Sequence, residues 1–238
     1  MWQERQGQGP QPTRGHPRLI TDVRTTPATQ SDSSQVAEIQ ESLLQRGLAP
    51  AVHLVDAGYI TGENLARSEQ RGIRLLGPAP PDTSPQAREA GLGLDAFELD
   101  WERQQARCPG GKASVHWNPS QDRGVPCVQI AFAAQDCEAF SLYRQCVRTT
   151  SPQAQGRRLK VREYHDYVRR RRQEQRTPEF QEQYRKRAGM EASLSEQVRE
   201  EGLREARYRE QPKIHLQHLF TATATNLERT ARWLRGDE

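Results

Sequence analysis

The first third of the chain alternates between strand-like and helix-like segments, and this order limits the possible folds more than any other feature. The strand candidates are residues 18–25, 51–56 and 73–76. Two helices are predicted between them, at 31–46 and 61–71, each starting at a capping residue and ending before a glycine. A β-α-β-α-β order is typical of a sheet of the α/β class.

The second strand candidate ends in an aspartate. Val52, Leu54 and Val55 form an apolar run that reads as a buried strand, and Asp56 follows it directly. Open α/β sheets place ligand-binding and catalytic groups at the carboxyl ends of their strands. Asp56 is therefore a candidate functional carboxylate. The alternative is that it only caps the turn that follows.

The stretch 177–209 contains a predicted helix with charge on its inward face. Thr177 can cap it, and five later residues at steps of three and four share one face. They are Tyr184, Arg187, Glu191, Leu194 and Val198. Burying charge is costly unless it is paired or bound to a metal. Arg187 and Glu191 therefore either form an ion pair four residues apart, or Glu191 is a functional carboxylate.

Three stretches together resemble the DDE transposases of bacterial insertion sequences: HLVDAGYI at 53–60, YRKRAGMEASLSEQVR at 184–199, and the segment 206–234. The resemblance implies a ribonuclease-H-like catalytic core. It implies that Asp56 is the second catalytic acid and Glu191 the third, both holding Mg²⁺ or Mn²⁺. Tyr184 and Arg187 match the helix signature Tyr-x2-Arg-x3-Glu and would support the site. Val198 departs from the pattern, since some members carry a lysine there.

The front of the chain departs further from the family. The first catalytic aspartate and the preceding DNA-binding region have no match, and Asp22 does not align with the missing acid. Residues 1–17 are rich in Gln, Gly and Pro and are expected to be a disordered tail. We therefore expect an N-terminally truncated transposase that is inactive alone.

All four cysteines lie in residues 97–150, which we expect to be an insertion in the core. Related transposases carry a zinc-ribbon-like insertion there, and three of its ligands match Cys108, Cys137 and Cys146. Phe140 stands where the fourth cysteine is expected. Structural zinc needs four ligands. The site is therefore either a metal-free vestige or is completed by a residue such as Cys127 or His116.

Basic residues concentrate between Arg157 and Arg176, with nine Lys or Arg against three Asp or Glu. The run Arg169–Arg172 would surround a helix and is predicted to bind DNA phosphates with little base specificity. Lys213 is a further candidate DNA contact. The alternative is a solvated charged face.

The last helix carries a weak metal signal, His215-x2-His218, which is more simply explained by core or surface histidines. An apolar stripe comprising Leu216, Phe220, Leu227, Ala231 and Leu234 predicts that this helix packs inward, against the sheet.

The domains expected are a tail (1–17), the first part of a ribonuclease-H-like core (18–96), a degenerate zinc-ribbon-like insertion (97–150), and a helical remainder with the basic region (151–238).

The net charge of +4 suits a DNA partner, meaning transposon ends and target, and a homo-oligomer is possible. The sequence has no stretch of roughly 18 apolar residues, so no membrane span is expected. Four cysteines in 238 residues fit a bacterial cytoplasm, with association to the nucleoid. Two other readings stay open: a non-catalytic DNA-binding protein derived from a transposase core, and an unrelated helical interaction protein.

Overall fold

The computed structural model describes residues 2–5, 17–148, 156–188 and 207–236. The chain forms two compact units. One comprises Met1–Ala79 together with Gln173–Glu238, and the other comprises Pro80–Arg172. The second unit is therefore an insertion in the first, and it is wider than the predicted insertion at 97–150.

The first unit contains the predicted alternation of strands and helices. Its elements up to residue 79 are β1 (Trp2–Arg5), β2 (Leu19–Val23), α1 (Val36–Gln45), β3 (Val52–Leu54), α2 (Gly62–Gln70) and β4 (Arg74–Leu76). Strands β1 and β2 pair antiparallel, and β3 and β4 pair in parallel. The structure thus confirms the α/β alternation, but its strands form two separate two-stranded sheets. Within the tail expected at 1–17, Trp2–Arg5 pair with β2 through the backbone.

Local signals fix the ends of these helices. The Thr61 side chain accepts a hydrogen bond from the Asn64 backbone N–H at 3.0 Å and starts α2. Gly47 and Gly72 follow α1 and α2 with φ of 67° and 70°, a left-handed conformation that favours glycine. Between the helices and strands lies a core that includes Ile39, Leu43 and Leu75. Leu44, next to Leu43 on α1, is exposed.

The helical part of the first unit differs from the prediction near Arg187. Helix α6 (His165–Glu174) runs from the second unit into the first, and α7 (Pro178–Arg185) follows it. Thr177 caps α7, as predicted, by accepting from the Phe180 backbone N–H at 3.3 Å. However, α7 ends at Arg185 and a turn follows, so the described residues do not form one continuous helix through Arg187.

The last helix, α8 (Gln211–Arg235), packs on β2 through polar side chains. The Asn226 side chain accepts from the Ile20 backbone N–H and donates to the Ile20 carbonyl, both at 2.8 Å. The prediction that its apolar stripe packs inward is wrong. Leu216, Phe220, Leu227 and Leu234 are all more than half exposed.

The second unit is built on a three-stranded antiparallel sheet in the order β7-β8-β9. Its elements are α3 (Pro85–Ala90), β5 (Glu98–Asp100), β6 (Gln105–Arg107), β7 (His116–Asp122), β8 (Val125–Ala131), α4 (Ala134–Glu138), α5 (Tyr143–Cys146), β9 (Arg158–Arg162) and the start of α6. One face of the sheet supplies Ile130, Leu159 and Val161 to a core that also holds Phe97 and Phe132. The opposite face is polar. None of the helices in the described ranges combines the length and apolar character that a membrane crossing requires.

Candidate active site

Asp56 lies just beyond the end of the parallel strand β3. The backbone N–H of Val55 still bonds to the Leu76 carbonyl at 2.9 Å, and a single 3₁₀ turn, Ala57–Tyr59, starts after Asp56. The Asp56 side chain is 54% exposed. The carboxylate therefore stands at the carboxyl end of a strand, where it was predicted, with about half of the side chain exposed.

The turn after Asp56 is fixed from the α2 side. The buried Asn64 amide donates to the carbonyls of Tyr59 and Ser33, both at 2.9 Å. The Tyr59 hydroxyl lies near the Asp32 carboxylate. Burial, followed by the negative charges of Asp32 and Asp56, raises the pKa of Tyr59, while Arg187 opposes this shift. The site thus includes two residues, Asp32 and Tyr59, to which we had assigned no functional role. Tyr59 lies within the stretch 53–60 that resembles the family, so that signal was present in the sequence.

Arg187 joins the helical signature to the strand end. Its Nη2 lies 2.6 Å from Asp56 Oδ1, and the Arg187 side chain is largely buried. The guanidinium also lies 5.9 Å from the centroid of the Tyr184 ring, which stacks on Phe180. The structure therefore brings Asp56, Tyr184 and Arg187 together from distant parts of the sequence. The predicted partner of Arg187, Glu191, lies outside the described residues.

The acids in the described ranges do not by themselves form a metal cluster. No group of three His, Cys, Asp or Glu side chains among those residues is arranged to hold a metal ion. Asp22 is engaged elsewhere: it pairs with Arg24 at 3.0 Å and Arg46 at 2.7 Å and accepts from Ser42 at 3.0 Å. It is buried by these partners, which explains its place in the fold without a catalytic role.

The four arginines of α6 have different environments. Arg170 is exposed and lies over the Tyr167 ring, with 4.8 Å between guanidinium and centroid. Arg169 donates to the Phe97 carbonyl at 3.3 Å, and Arg171 is buried, with 7% of its surface exposed. Arg172 donates two bonds to Asp95, at 3.0 and 2.9 Å. Most of the predicted DNA-binding cluster is thus turned toward its own unit.

Asp95 shows how tightly α6 is held. His165 Nε2 lies 3.2 Å from one Asp95 oxygen, beside Arg172 Nη1, which contacts both Asp95 oxygens. The adjacent His165, assisted by Arg172, lowers the pKa of Asp95 to about 2 despite the opposing effect of burial. A carboxylate held in this way is a structural anchor of α6.

A second basic surface lies on β9, where Arg158, Lys160 and Arg162 are all exposed while the intervening Leu159 and Val161 are buried. These cations share the polar face of the sheet with Asn118 and Gln129, which line a groove of about 390 Å³. Asp122 pairs with Lys160 at 3.1 Å and with Arg162 at 3.4 Å. The two-residue period was visible in the sequence, but we interpreted the segment as part of a basic run.

The cysteine region is arranged around Phe140. Cys108, Cys137 and Cys146 are close enough that the first two raise the pKa of the Cys146 thiol, although burial is the main cause of that shift. A Cβ on Gly110 would lie 3.0 Å from the Phe140 ring and 3.5 Å from Cys108 Sγ. The ring therefore packs where the fourth ligand was expected. Cys127 is buried on β8 and His116 is exposed on β7.

The remaining candidates lie on or beside α8. Thr25 Oγ1 lies 3.1 Å from His215 Nδ1 and 2.8 Å from His218 Nδ1, so these histidines bind a hydroxyl that docks the helix. Burial lowers the pKa of His218, and His215 lowers it further. Lys213 is exposed and pairs with Glu210 at 2.9 Å.

Comparison with known proteins gives one match. Residues 107–231, more than half of the chain, match the family model described as the transposase DDE domain. This range includes Tyr184, Arg187 and Glu191 but not Asp56. No curated protein and no solved structure matches the chain.

Proposed function

Because this chain belongs to the transposase DDE domain family, we propose that it serves DNA transposition through metal-dependent cleavage and joining of DNA strands, on a ribonuclease-H-like core. The observation that carries the proposal is the 2.6 Å contact between Arg187 and Asp56. It connects the segment within the family match to the carboxylate outside it. These are the two segments that must meet if the site is to form.

Asp56 and Glu191 would hold the divalent cation. Carboxylate oxygens suit the hard ions Mg²⁺ and Mn²⁺, and Asp56 is half exposed at a strand end, so the donor chemistry fits at this position. Bound cations would activate the attacking oxygen and stabilise the leaving oxygen in an in-line displacement at phosphorus. The chain's own contribution is positioning: the two hydrogen bonds of the Asn64 amide fix the turn that aims Asp56.

The charge balance at this position favours weak catalysis by the chain alone. Asp56 and Glu191 supply two negative charges, whereas a pair of dications carries four positive charges and repels itself strongly. Arg187 adds a further positive charge in direct contact with Asp56. We therefore propose slow or absent strand transfer without another acidic group.

The DNA partner would contact the polar face of the β7-β8-β9 sheet. Arg158, Lys160 and Arg162 project from one face of β9, and Asn118 and Gln129 extend this face with amide groups. Such a surface suits phosphate contacts, which position DNA without reading its sequence. Arg170 is the member of the Arg169–Arg172 run whose exposure suits the same role, and Lys213 is a separate candidate on α8.

The contact between Arg187 and Asp56 also favours the second candidate function, a non-catalytic DNA-binding protein derived from a transposase core. An arginine in direct contact neutralises a carboxylate that a metal would otherwise use.

The two functions are separated by strand cleavage and strand transfer with Mg²⁺ and with Mn²⁺, comparing the wild type with Asp56→Asn and Glu191→Ala. Weak activity that both substitutions abolish would support the transposase. Robust activity lost with Glu191→Ala would support the transposase and refute weak catalysis. DNA binding with no cleavage in any variant would favour the non-catalytic protein. Activity unaffected by either substitution would refute the proposed site.

A further inference from the structure

A cavity of about 280 Å³ lies within the second unit, and most of its lining is basic. Among the described residues nine line it, and five of these can carry positive charge: Arg157, Arg158, Lys160, His165 and Arg172. Residues 158–160 are consecutive on β9, and none of the described lining residues belongs to β7 or β8. The cavity therefore lies along the edge of β9 that faces away from β8.

The Arg157 guanidinium makes no ion pair within the described ranges. Its Nη1 donates to the Cys146 carbonyl at 3.0 Å and its Nη2 to the Leu92 carbonyl at 3.5 Å, and both acceptors are neutral. The Nε atom is buried and has no hydrogen-bond partner among the described residues. Burial lowers the pKa of Arg157, because a charge that leaves water without a counter-ion is destabilised. An anion in the cavity would stabilise this guanidinium.

One carboxylate, Asp82, also lines the cavity, but its oxygens are already occupied. One oxygen accepts from the Ser84 backbone N–H at 2.9 Å and the other from the Leu94 backbone N–H at 3.0 Å. Its negative charge acts on Arg157 without direct contact and only partly offsets the effect of burial on the pKa of that residue. Asp82 therefore does not replace the missing counter-ion.

Two other cations of the lining are already neutralised. Arg172 contacts both oxygens of Asp95, and Lys160 pairs with Asp122. Arg158 is exposed and makes no ion pair within the described ranges. It adds a second uncompensated positive charge to that of the buried guanidinium, so the cavity attracts anions.

Helix α6 begins at the same cavity. His165 is the first of its ten residues, and only 9% of the His165 side chain is exposed. Its Nε2 lies 3.2 Å from an Asp95 oxygen, but it forms no aligned hydrogen bond with any described residue. The N-terminus of a helix carries a partial positive charge and favours phosphate groups. The helix thus adds to the attraction that the arginines exert.

We propose that this cavity binds a phosphate group. Its cations approach from β9, from the residue before β9 and from α6, which suits a tetrahedral anion better than a planar carboxylate. The volume lies at the lower end of that of small-molecule sites and suits a phosphate group better than a large organic ligand. The site is separate from the DNA surface proposed on the polar face of the sheet, although Arg158 and Lys160 adjoin both. The phosphate can belong to a DNA strand or to a free phosphate ester, since both offer the same oxygens.

Isothermal titration calorimetry of the full chain with inorganic phosphate tests the cavity. Arg157→Gln should weaken phosphate binding at least about tenfold, because charged hydrogen bonds to phosphate are strong. Arg158→Gln should weaken it about threefold or more, since its charge is closer to solvent. Arg103→Gln is the matched control: it removes the same charge from an exposed position of the same unit outside the lining, and it should leave phosphate binding unchanged.

A wild type that does not bind phosphate would overturn the proposal, as would equal binding by all three variants or acetate binding as tight as that of phosphate. Circular dichroism monitors the fold. If Arg157→Gln does not fold, the exposed Arg158→Gln decides, and phosphate binding equal to that of Arg103→Gln would overturn the proposal. The titration contains neither DNA nor a divalent cation, so its failure would leave the proposed transposition function intact.

The source of the phosphate is identified by fluorescence anisotropy of a labelled DNA duplex, with and without inorganic phosphate at constant ionic strength. A backbone phosphate of DNA is the ligand if inorganic phosphate weakens duplex binding by the wild type but not by Arg157→Gln. A free phosphate ester is the ligand if duplex binding is unchanged and deoxyadenosine monophosphate binds the chain as tightly as inorganic phosphate. Both outcomes support the cavity as a phosphate site.

Discussion

At the residue scale, His53 is a buried histidine that the fold keeps uncharged. It lies on β3 with 1% of its surface exposed, and its Nδ1 accepts from the Gln40 amide at 3.3 Å. Gln40 also bonds to Ser68 at 2.8 Å, so three buried polar groups satisfy one another. Burial lowers the pKa of His53 to about 4, because a charged imidazole there would lose its hydration.

The first unit should therefore lose stability in mild acid. The folded pKa of about 4 is below the ordinary value of 6.5, so the unfolded chain takes up the proton first. The stabilisation is complete above pH 6.5 and is lost as the pH falls from 6.5 to 4, amounting to about 3 kcal/mol at most. Thermal unfolding from pH 7.5 to 4.5 measures it. His53→Gln should reduce the pH dependence and leave only the part that comes from His218, even if this variant is less stable at pH 7.5. An equal slope in both proteins would contradict the assignment, since Asp95 titrates only below its ordinary value of 3.8.

Arg187 provides a second prediction at this scale. Removing its charge should free the Asp56 carboxylate and tighten Mn²⁺ binding several-fold, because the guanidinium then no longer competes for the same oxygen. Arg187→Gln should show this effect in electron paramagnetic resonance titrations, whereas Arg187→Lys, which keeps the charge, should not. If Mn²⁺ affinity also rises in Arg187→Gln/Asp56→Asn, the metal binds somewhere else.

At the element scale, the sequence predicted where helices begin and end better than it predicted which elements they pack against. Thr61, Thr177, Gly47 and Gly72 marked helix ends correctly because capping is a local interaction. The apolar stripe of α8 was placed inward wrongly. Its packing is decided by side-chain hydrogen bonds to β2, across 206 residues, and no local pattern records them. The same limit applies to the site: the position of Asp56 was predictable from its strand, but its contact with Arg187 was not.

Helix α6 offers a prediction about two neighbouring arginines. Arg172→Ala should destabilise the second unit by about 1–3 kcal/mol, because it leaves the half-buried Asp95 without the guanidinium that contacts both of its oxygens. Arg170→Ala should change stability by less than about 1 kcal/mol, since this residue is exposed and contributes mainly a contact with Tyr167. Urea unfolding compares them. Equal losses would mean that the exposed arginine is also structural.

At the scale of the whole molecule, the net charge of +4 matters less than where the cations lie. The triple variant Arg158→Ala, Lys160→Ala and Arg162→Ala should weaken binding to unrelated DNA duplexes equally and lower the slope of log K against log salt by about 2–3. Arg67→Ala, Arg88→Ala and Arg103→Ala together remove the same charge from other exposed positions and should have a smaller effect. Fluorescence anisotropy at several salt concentrations measures both. If the two triple variants match, β9 is not the DNA surface.

The interrupted first unit has a consequence for how the protein is made. The Gln175 side chain accepts from the backbone N–H of Ala79 at 2.8 Å and donates to the Ala79 carbonyl at 3.4 Å. These bonds join the two chain segments that flank the inserted second unit. On the ribosome, Pro80–Arg172 emerges as an uninterrupted stretch, whereas β2 waits for Asn226, which is added 206 residues after Ile20. At 5–20 residues per second this delay is on the order of 10–40 s. The inserted unit should therefore complete its folding first. The segment Met1–Ala79 is made earlier but stays incomplete for longer, so we expect chaperones to bind it.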